Sequence, residues 1–494
     1  MAVVIAIDAG TSSVKVSALD ESARTLQSAS LETKVVTDGL GKAEQDPMEV
    51  WKSILWCLRG VCDSLGDVSV ASIGITNQRE SFLLVDSRTM EPLTPLVLWL
   101  DRRSEQFCEA LKDEGHGPRV TELSGLAIDP YFSATKAKMV LSDLREGGFD
   151  GPVTLLTVDS FIIYKLTKQL PLTDASNASR TLLFDTDQMQ FSDELIDIFG
   201  LQDLGLPQVR SSFELVAVVD QEIHPKLRGV GITGILGDQQ ASLLGQGCIE
   251  FGMAKNTYGT GSFILVNAGE VRPKPSLGLL VSIAWLMPDG KANFAIEGSI
   301  FACGSTLRWM RDDLKIFKDY PEASLLAQSV SDCGGVTLVP AFEGLGSPHL
   351  APSIRASLTG ISQGTSKAHI VRAAIEAMAF QTQDVISAIN GLLGSPINNL
   401  RVDGGAAIMD LLCQFQADQL GIAVSRSASL ESTTLGAAFA SGLGSGVWST
   451  MEEVASLHES DRLFVPTKSK SGPRSRHEKW LLALEHARRF SQHS

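Results

Sequence analysis

The sequence has few of the features that mark secreted, membrane-spanning or nucleic-acid-binding proteins. Its 7 cysteines are scattered and never spaced as Cys-x-x-Cys, which argues against a disulfide framework and against a zinc site. No apolar run reaches the roughly 18 residues that a membrane-spanning helix needs. The first residues lack a basic segment and carry an acid early, at Asp8, so we expect no signal peptide.

Basic residues are also outnumbered, with 42 Lys and Arg against 57 Asp and Glu and a net charge of −15. This balance argues against binding to nucleic acid or to an anionic membrane. It does not exclude binding of an anionic nucleotide, because backbone N–H groups and a metal ion at the site can attract an anion in spite of the protein's overall negative charge. The sequence contains no Gly-x-x-x-x-Gly-Lys-Ser/Thr motif, so a nucleotide site would not be of the P-loop kind.

What is present is typical of a soluble globular protein with two domains. The hydrophobic fraction is 44%, the charged fraction is 20%, and 494 residues are enough for large cores. Apolar runs at residues 3–7 and 70–76 predict buried strands. Asp46 followed by Pro47 and Glu49 predicts the start of a helix. Strands that alternate with helices predict an α/β architecture, and unpaired cysteines favour a cytoplasmic location.

Glycine-rich turns recur half a chain apart. The run Asp8-Ala-Gly-Thr-Ser-Ser13 lies between two strand patterns, and Gly259-Thr-Gly-Ser262 lies between another two. Both turns offer backbone N–H groups to an anion, although an ordinary hairpin turn would have a similar sequence. The repeat predicts a duplicated fold of two related lobes, residues 1–247 and 248–494, that close on one cleft. A helical pattern over residues 474–490 predicts a closing helix at the end of the second lobe.

A lone acid stands at the middle of the chain, in the run Gly237-Asp-Gln-Gln-Ala241. It has two interpretations: a cap for the helix that follows, or a carboxylate that faces the cleft. Arg79 and Glu80 come just after the predicted strand 70–76, where open α/β sheets place ligands. A surface ion pair is the alternative for those two residues. A third Gly-rich turn, Asp403-Gly-Gly405, precedes a helix and is suited to binding phosphate.

Seven short motifs stand in order along the chain: Asp8-Ala-Gly-Thr11, Gly74-Ile-Thr-Asn-Gln-Arg-Glu80, Asp129-Pro-Tyr-Phe-Ser133, Asn177-Ala-Ser-Arg180, Gly237-Asp-Gln-Gln-Ala241, Met253-Ala-Lys-Asn-Thr-Tyr-Gly-Thr-Gly261 and Arg401-Val-Asp-Gly-Gly405. Together they resemble the glycerol kinases, which are FGGY carbohydrate kinases of the actin-like, ribonuclease H-like superfamily. Each motif is weak alone, but the set covers nearly the whole chain. The resemblance implies two duplicated actin-like lobes with a cleft between them. It also implies ATP- and Mg²⁺-dependent phosphorylation of glycerol to sn-glycerol 3-phosphate.

The resemblance implies roles for individual residues. Asp238 would be the general base, and Asp8 and Asp238 would lie at the metal ion. The residues implied to bind glycerol are Arg79, Glu80, Trp99, Tyr131, Asp238, Gln239 and Phe263. The residues implied to bind the nucleotide are Thr11, Ser12, Ser13, Lys15, Thr260, Gly261, Gly304, Arg308, Gly405 and Met409.

Two positions depart from the family pattern. Arg308 and Met409 stand where Gln and Asn are usual, which predicts weaker discrimination among purine triphosphates than in typical relatives. Three other functions stay open: a kinase of another small polyol or sugar, a sensor of the same fold that binds glycerol or nucleotide without turnover, and an actin- or chaperone-like ATPase. Retention of Asp8 and Asp238 favours catalysis over the sensor. A homodimer or a tetramer is compatible with the family.

Overall fold

The computed structural model describes residues 2–276, 278–429, 431–467 and 472–491, with the backbone alone for residues 472–474. Two large mixed sheets organise these residues, one from each half of the chain. The predicted α/β architecture is therefore confirmed.

The first sheet has a parallel centre. Its core strands are β1 (Val3–Ala9), β2 (Ser13–Leu19), β3 (Thr25–Glu32), β4 (Val70–Asn77) and β5 (Gly231–Gly237). Their order is β3-β2-β1-β4-β5, and the short strand Ala217–Val218 extends the sheet beyond β5. β1, β4 and β5 run parallel, whereas β2 is antiparallel to β1 and β3 is antiparallel to β2.

The second sheet repeats this arrangement. Its core strands are β6 (Met253–Tyr258), β7 (Ser262–Gly269), β8 (Ala292–Ile300), β9 (Asn399–Asp403) and β10 (Ala423–Ser427). Their order is β8-β7-β6-β9-β10, with Leu280–Leu286 beyond β8 and Ser460–Phe464 beyond β10. β6, β9 and β10 are parallel, and β7 and β8 are antiparallel additions. Two sheets of the same order and direction confirm the predicted duplication.

Burial explains the composition of the central strands. Val3, Val4, Ile5, Ala6 and Ile7 are each 0% exposed, so β1 is apolar on both faces, as expected of a parallel strand covered from both sides. The cover is helical, and the helices that matter below are α1 (Pro47–Ser64), α2 (Asp238–Gly245), α3 (Gly304–Asp312), α4 (Lys367–Leu393), α5 (Ser432–Ser445) and α6 (Gly472–Ser491).

The predicted start of α1 is confirmed. The Asp46 carboxylate accepts hydrogen bonds from the backbone N–H groups of Met48 at 2.7 Å and Glu49 at 3.3 Å, and Pro47 occupies the first helical position. This arrangement satisfies two backbone donors that would otherwise lack a partner at the helix start.

The remaining elements are short and lie around these two sheets. The other helices are Glu105–Asp113, Gly117–Ser124, Ser133–Glu146, Val158–Thr167, Ala175–Ala178, Asp193–Phe199, Tyr320–Gln328, Asp410–Leu420 and Met451–Ser456, with 3₁₀ turns at Pro225–Leu227 and Gly405–Ile408. A smaller sheet in the first half is formed by Leu204–Gly205, Val153–Thr157, Phe82–Asp86, Leu96–Val97, Ala43–Gln45 and Val36–Thr37. Two-stranded ladders join Leu172–Asp174 to Gln208–Arg210, Phe184–Asp185 to Gln190–Phe191, and Thr337–Val339 to Ser357–Thr359.

The two halves are interlocked by α5. Although it belongs to the second half, α5 packs on α2, β4 and β5 of the first half. The approach requires glycine: a Cβ added at Gly74 would lie 2.0 Å from the Ala437 carbonyl oxygen, and one at Gly436 would lie 1.7 Å from the Ala241 carbonyl oxygen. The contact therefore holds the end of β5, where Asp238 follows, in a fixed place beside the second half. The division of the chain at residues 247 and 248 stays a prediction.

Candidate active site

The polar residues singled out from the sequence lie at one edge of the first sheet. Asp8 is at the carboxyl end of β1, Arg79 and Glu80 follow β4, and Asp238 follows β5. Because these three strands are parallel neighbours, their carboxyl ends lie side by side. Topology therefore brings together residues that are up to 230 positions apart in sequence.

Asp238 is not a helix cap. The residue that caps α2 is Gly237, no side chain makes a capping bond there, and Asp238 is the first helical residue. Its carboxylate accepts the N–H of Gln239 at 2.7 Å and lies 3.1 Å from Nε of Arg79, with 29% of the side chain exposed. Burial raises the pKa of Asp238 above its usual value, and the Arg79 guanidinium opposes that rise. A partly exposed carboxylate of raised basicity is suited to accepting a proton.

Arg79 and Glu80 are deeply buried, so the interpretation as a surface ion pair is wrong. Each side chain is 2% exposed. Glu80 adopts a φ of +61°, a conformation that residues other than glycine and asparagine rarely take. Strained backbone of this kind persists where the surrounding structure enforces it, and it is concentrated at functional sites. Burial raises the pKa of Glu80, while Arg180 and Arg79 counteract it.

Two aromatic residues of the expected acceptor site, Trp99 and Tyr131, form one wall. The rings of Trp99 and Tyr131 meet edge to face, with centroids 5.7 Å apart. Nε1 of Trp99 donates to the Thr11 hydroxyl at 2.9 Å. Gln239 lies on α2 beside Asp238, and its amide oxygen accepts from Nζ of Lys255 at 2.5 Å. Phe263 lies at the start of β7 and is only partly buried, so its side chain is not confined to the core.

Three charged residues of this site were not assigned a role from sequence. Arg180 and Glu297 are 0% exposed and bind Glu80 and Arg79, and Lys255 is also 0% exposed. For Glu297 the signal in the sequence was a single charge in the middle of strand β8, whereas Arg180 and Lys255 stand inside two of the seven motifs. Such a charge needs a partner of opposite sign when it is buried.

The turn between β1 and β2 lies beside the acceptor wall. Ser12 and Ser13 are exposed at its tip. The hydroxyl of Thr11 is already engaged, since it donates to Gln78 at 3.0 Å and accepts from Trp99. Lys15 pairs with Glu431 at 2.7 Å, and both side chains remain partly exposed. A cation, two free hydroxyls and a turn backbone therefore face solvent together at this tip.

The turn between β6 and β7 meets the start of α3. The N–H of Gly304 donates to the Gly259 carbonyl at 3.0 Å, and a Cβ at Gly304 would lie 2.6 Å from that oxygen. Nη2 of Arg308 donates to the Thr260 hydroxyl at 3.2 Å. Gly261 completes the turn, and a Cβ there would lie 2.4 Å from the Ile300 carbonyl oxygen. Glycine is required at both positions for the turn and the helix to meet.

The third Gly-rich turn differs from expectation at one position. Gly405 is exposed, and a Cβ added there would meet nothing within 4 Å. Met409, however, is 3% exposed and packs in the hydrophobic core of the second half. Met409 lies between the end of the 3₁₀ turn Gly405–Ile408 and the start of the helix Asp410–Leu420. The turn directs the Met409 side chain into the core. The neighbouring Ile408 is the exposed apolar residue of this turn, at 53%.

The carboxylates at the edge of the first sheet form a region of excess negative charge. Burial, followed by the carboxylates of Asp238 and Glu431, raises the pKa of Asp8 to about 7. Thr434 donates a long hydrogen bond of 3.4 Å to the same carboxylate. Within the described residues there is no group of three or more His, Cys, Asp or Glu side chains that could hold a metal ion unaided. Two carboxylates that repel each other suit a Mg²⁺ ion whose other ligands are water and phosphate oxygens.

Family models match both halves of the chain. The N-terminal domain of the FGGY family of carbohydrate kinases matches residues 3–245, and its C-terminal domain matches residues 254–444.

The chain belongs to the FGGY family of carbohydrate kinases. Among curated relatives, glycerol kinase of Bacillus mycoides is 39% identical over 494 residues, which cover 99% of each chain. Glycerol kinase of Caldanaerobacter subterraneus is 38% identical over 495 residues, again 99% of each chain. These comparisons confirm the family inferred from the seven motifs.

Solved kinase structures share the fold. Glycerol kinase of Plasmodium falciparum with ADP superposes with a TM-score of 0.94 at 32% identity, covering 99% of this chain and 98% of that one. A ligand-bound xylulose kinase from Lactobacillus acidophilus superposes with a TM-score of 0.89 at 19% identity, covering 98% of each chain, and supports the fold alone. The two actin-like lobes expected of an FGGY kinase are therefore confirmed. In the described part of the chain, no helix is long and apolar enough to cross a membrane.

Proposed function

We propose that this FGGY kinase transfers the γ-phosphoryl group of ATP to glycerol and forms sn-glycerol 3-phosphate. The observation that carries the proposal is the buried Arg79–Glu80 pair beside Asp238, next to an aromatic wall. Full-length relatives at 38% and 39% identity that are named glycerol kinase support it.

The acceptor follows from the chemistry of the pair. A triol presents three hydroxyl groups, each of which needs a donor or an acceptor when it leaves water. Arg79 supplies donors, Glu80 and Asp238 supply acceptors, and Gln239 supplies an amide. Nε of Arg79 is buried without a well-aligned partner inside the protein, so it is available to a hydroxyl oxygen. Trp99, Tyr131 and Phe263 cover the carbon chain and limit its length.

Asp238 acts as the general base. The terminal hydroxyl oxygen of glycerol attacks the γ-phosphorus, and its proton passes to the Asp238 carboxylate. The bond from the γ-phosphorus to the β–γ bridging oxygen breaks, and ADP leaves. Little covalent chemistry is required of the protein, so positioning and charge stabilisation supply most of the acceleration. The neighbouring Arg79 keeps the carboxylate ionised against the effect of burial.

The nucleotide is proposed to bind between the Gly-rich turns. Lys15, Ser12 and Ser13 on the first turn, with Thr11 contributing backbone alone, approach its phosphates. On the second half, the contacts come from the turns and from the start of α3: Thr260, Gly261, Gly304, Arg308 and Gly405. We assign Met409 to this set only through its backbone, because its side chain is buried.

Asp8 and Asp238 would hold a Mg²⁺ ion. Burial, and then repulsion from Asp238 and Glu431, raises the pKa of Asp8, and a cation bound between the carboxylates would relieve that repulsion. When bound, Mg²⁺ neutralises the developing charge on the phosphate oxygens.

A cytoplasmic location is part of the proposal. All seven cysteines are free and buried, which suits a reducing compartment, and the reaction consumes ATP. A homodimer or a tetramer is proposed only by analogy with the family, and glycerol and ATP are the expected ligands.

ADP release, coupled to NADH oxidation and followed with a series of acceptors, tests the function. Glycerol should give the highest kcat/KM among glycerol, dihydroxyacetone, erythritol, xylitol and xylulose. Propane-1,2-diol and propane-1,3-diol should be poorer by roughly 10⁴-fold, since each leaves a buried partner unpaired. Arg79→Ala should abolish the preference for glycerol, while Arg372→Ala, which removes a partly buried arginine in α4, should keep it.

Two results would contradict the proposal in different ways. A four- or five-carbon acceptor with a higher kcat/KM than glycerol would show that glycerol is the wrong acceptor and would leave the family assignment intact. Equal ADP release with and without any acceptor would show an ATPase.

A further inference from the structure

The acceptor site of the first half is tied to the second half by one buried carboxylate. Glu297 lies in the middle of β8 and is 0% exposed. Its Oε2 lies 2.7 Å from Nη1 of Arg79, and its Oε1 lies 3.3 Å from Nη2 of the same guanidinium. Its Oε1 also accepts from Nη2 of Arg180 at 3.3 Å. One acid thus holds two arginines that belong to the other half of the chain.

Arg180 completes the cluster from the side of Glu80. Its Nε donates to Oε1 of Glu80 at 2.5 Å. Its guanidinium lies over the rings of Tyr131 at 5.7 Å and Phe132 at 5.2 Å. Arg180 therefore contacts both a polar and an aromatic residue of the acceptor site, although all of its own surface is buried.

The cluster determines which edge of Arg79 is available. A guanidinium has one edge formed by its two terminal nitrogens and another that includes Nε. Glu297 occupies the terminal nitrogens, so Nε is left facing Asp238 at 3.1 Å. Without Glu297 the guanidinium of Arg79 would be free to turn its terminal nitrogens towards Asp238 and Glu80. Nε of Arg79 would then no longer be directed at a hydroxyl group of the acceptor. Burial alone would raise the pKa of Glu297, but Arg180 and Arg79 hold it at about 2, so the carboxylate stays charged.

The backbone around Arg180 is held in place independently. Asp174 caps the helical turn Ala175–Ala178 by accepting the N–H groups of Ser176 at 3.0 Å and Asn177 at 2.9 Å. The Ser176 hydroxyl in turn accepts the N–H of Gly237 at 2.9 Å. Arg180 and Asp238 therefore share one rigid support, which is the arrangement that accurate positioning of a site requires.

We propose that Glu297 and Arg180 are positioning residues for the acceptor: Glu297 orients Arg79 and Arg180 orients Glu80, so that the acceptor site is complete only when the two halves of the chain are in contact. This inference rests on the proposed function, because it takes Arg79 and Glu80 as the groups that bind the acceptor. Buried ion pairs contribute little to stability on balance, which agrees with a role in geometry.

The test compares Glu297→Gln with Glu376→Gln. Glu376 is a matched control, since it is a buried acid in the second half that also binds two arginines, Arg372 and Arg476. Glu297→Gln should lower kcat/KM for glycerol by about 30-fold or more, mainly through KM, because two buried guanidinium groups lose a charged partner. KM for ATP should change less than about threefold, within the scatter expected of a residue that does not touch the nucleotide. Glu376→Gln should leave both KM values at those of the parent.

Two conservative variants keep the test decisive if Glu297→Gln folds poorly. Glu297→Asp retains the charge and should recover part of the loss in KM. Arg180→Lys retains the charge but not the planar fork, and should raise KM for glycerol by about tenfold. Binding of ADP, measured by calorimetry, shows whether each variant is folded.

The inference is overturned if the KM for glycerol of folded Glu297→Gln or Arg180→Lys stays within about threefold of the parent value. It is also overturned if Glu376→Gln changes KM equally, because the effect would then be structural. Failure of the parent to phosphorylate glycerol would instead refute the proposed function. The same comparison would then be made with whichever polyol of the acceptor series the parent does phosphorylate, and the same thresholds decide it.

Discussion

Replacing Asp238 with Asn is expected to remove turnover and keep the site. An amide oxygen can still accept the N–H of Gln239, now 2.7 Å from the carboxylate, and can still face Nε of Arg79 at 3.1 Å. The substitution should not destabilise helix α2, because the cap of that helix is Gly237 and not Asp238. What the amide cannot do is take the proton of the attacking hydroxyl. Loss of a general base costs roughly 10²–10⁴-fold in kcat, which is roughly 2.7–5.5 kcal/mol of transition-state stabilisation.

The assay is kcat from coupled ADP release at saturating glycerol and ATP, with glycerol affinity measured separately by calorimetry. Asp20→Asn is the control, because Asp20 is 5% exposed and accepts backbone N–H groups from Ser22 and Arg24 in a turn between β2 and β3. Asp20→Asn should retain the parent kcat. The reasoning is refuted if Asp238→Asn turns over within about threefold of the parent, well inside the range expected for a general base. The assignment as general base is also refuted if Asp238→Asn loses glycerol binding together with turnover, since the lost turnover would then follow from lost binding.

Three further outcomes are expected. Gly405→Ala should fold normally, because the added Cβ meets nothing within 4 Å, but it should raise KM for ATP by about tenfold, because the methyl group intrudes on the nucleotide. Gly60→Ala, at an exposed position in α1, is the control. If KM for ATP is unchanged in Gly405→Ala and equals that of the control, the nucleotide binds elsewhere. With Arg308 in place of an amide, kcat/KM for ATP should exceed that for GTP by less than about a hundredfold, and a larger ratio contradicts this. Burial lowers the pKa of Lys136 from 10.5 to about 7, so between these values the folded state binds one proton fewer than the unfolded chain. Stability against urea should therefore rise with pH across that window, by up to about 1.4 kcal/mol per unit, and Lys136→Met should remove this contribution; equal slopes for parent and variant between pH 7.5 and 9.5 would refute it.

The duplicated fold could be predicted because its signals are local. The apolar run of β1, the cap at Asp46 and the Gly-rich turns at Thr11 and Thr260 each depend on a few adjacent residues. The interlocking of the halves could not be predicted, because it depends on α5 meeting β4 through Gly74 and Ala437, which are more than 360 positions apart. No local sequence pattern indicates which helix covers which sheet.

For the candidate site, too, some features could be predicted from the sequence and others could not. The sequence by itself determined the family and the identity of the polar residues at the strand ends, such as Asp8, Glu80 and Asp238, because motifs preserve residue type and spacing. Only the tertiary structure decided that Glu297 of the second half binds Arg79, and that Met409 turns into the core. The physical reason is that a buried charge is stabilised by a partner of opposite sign close in space, and distance along the chain does not limit that choice.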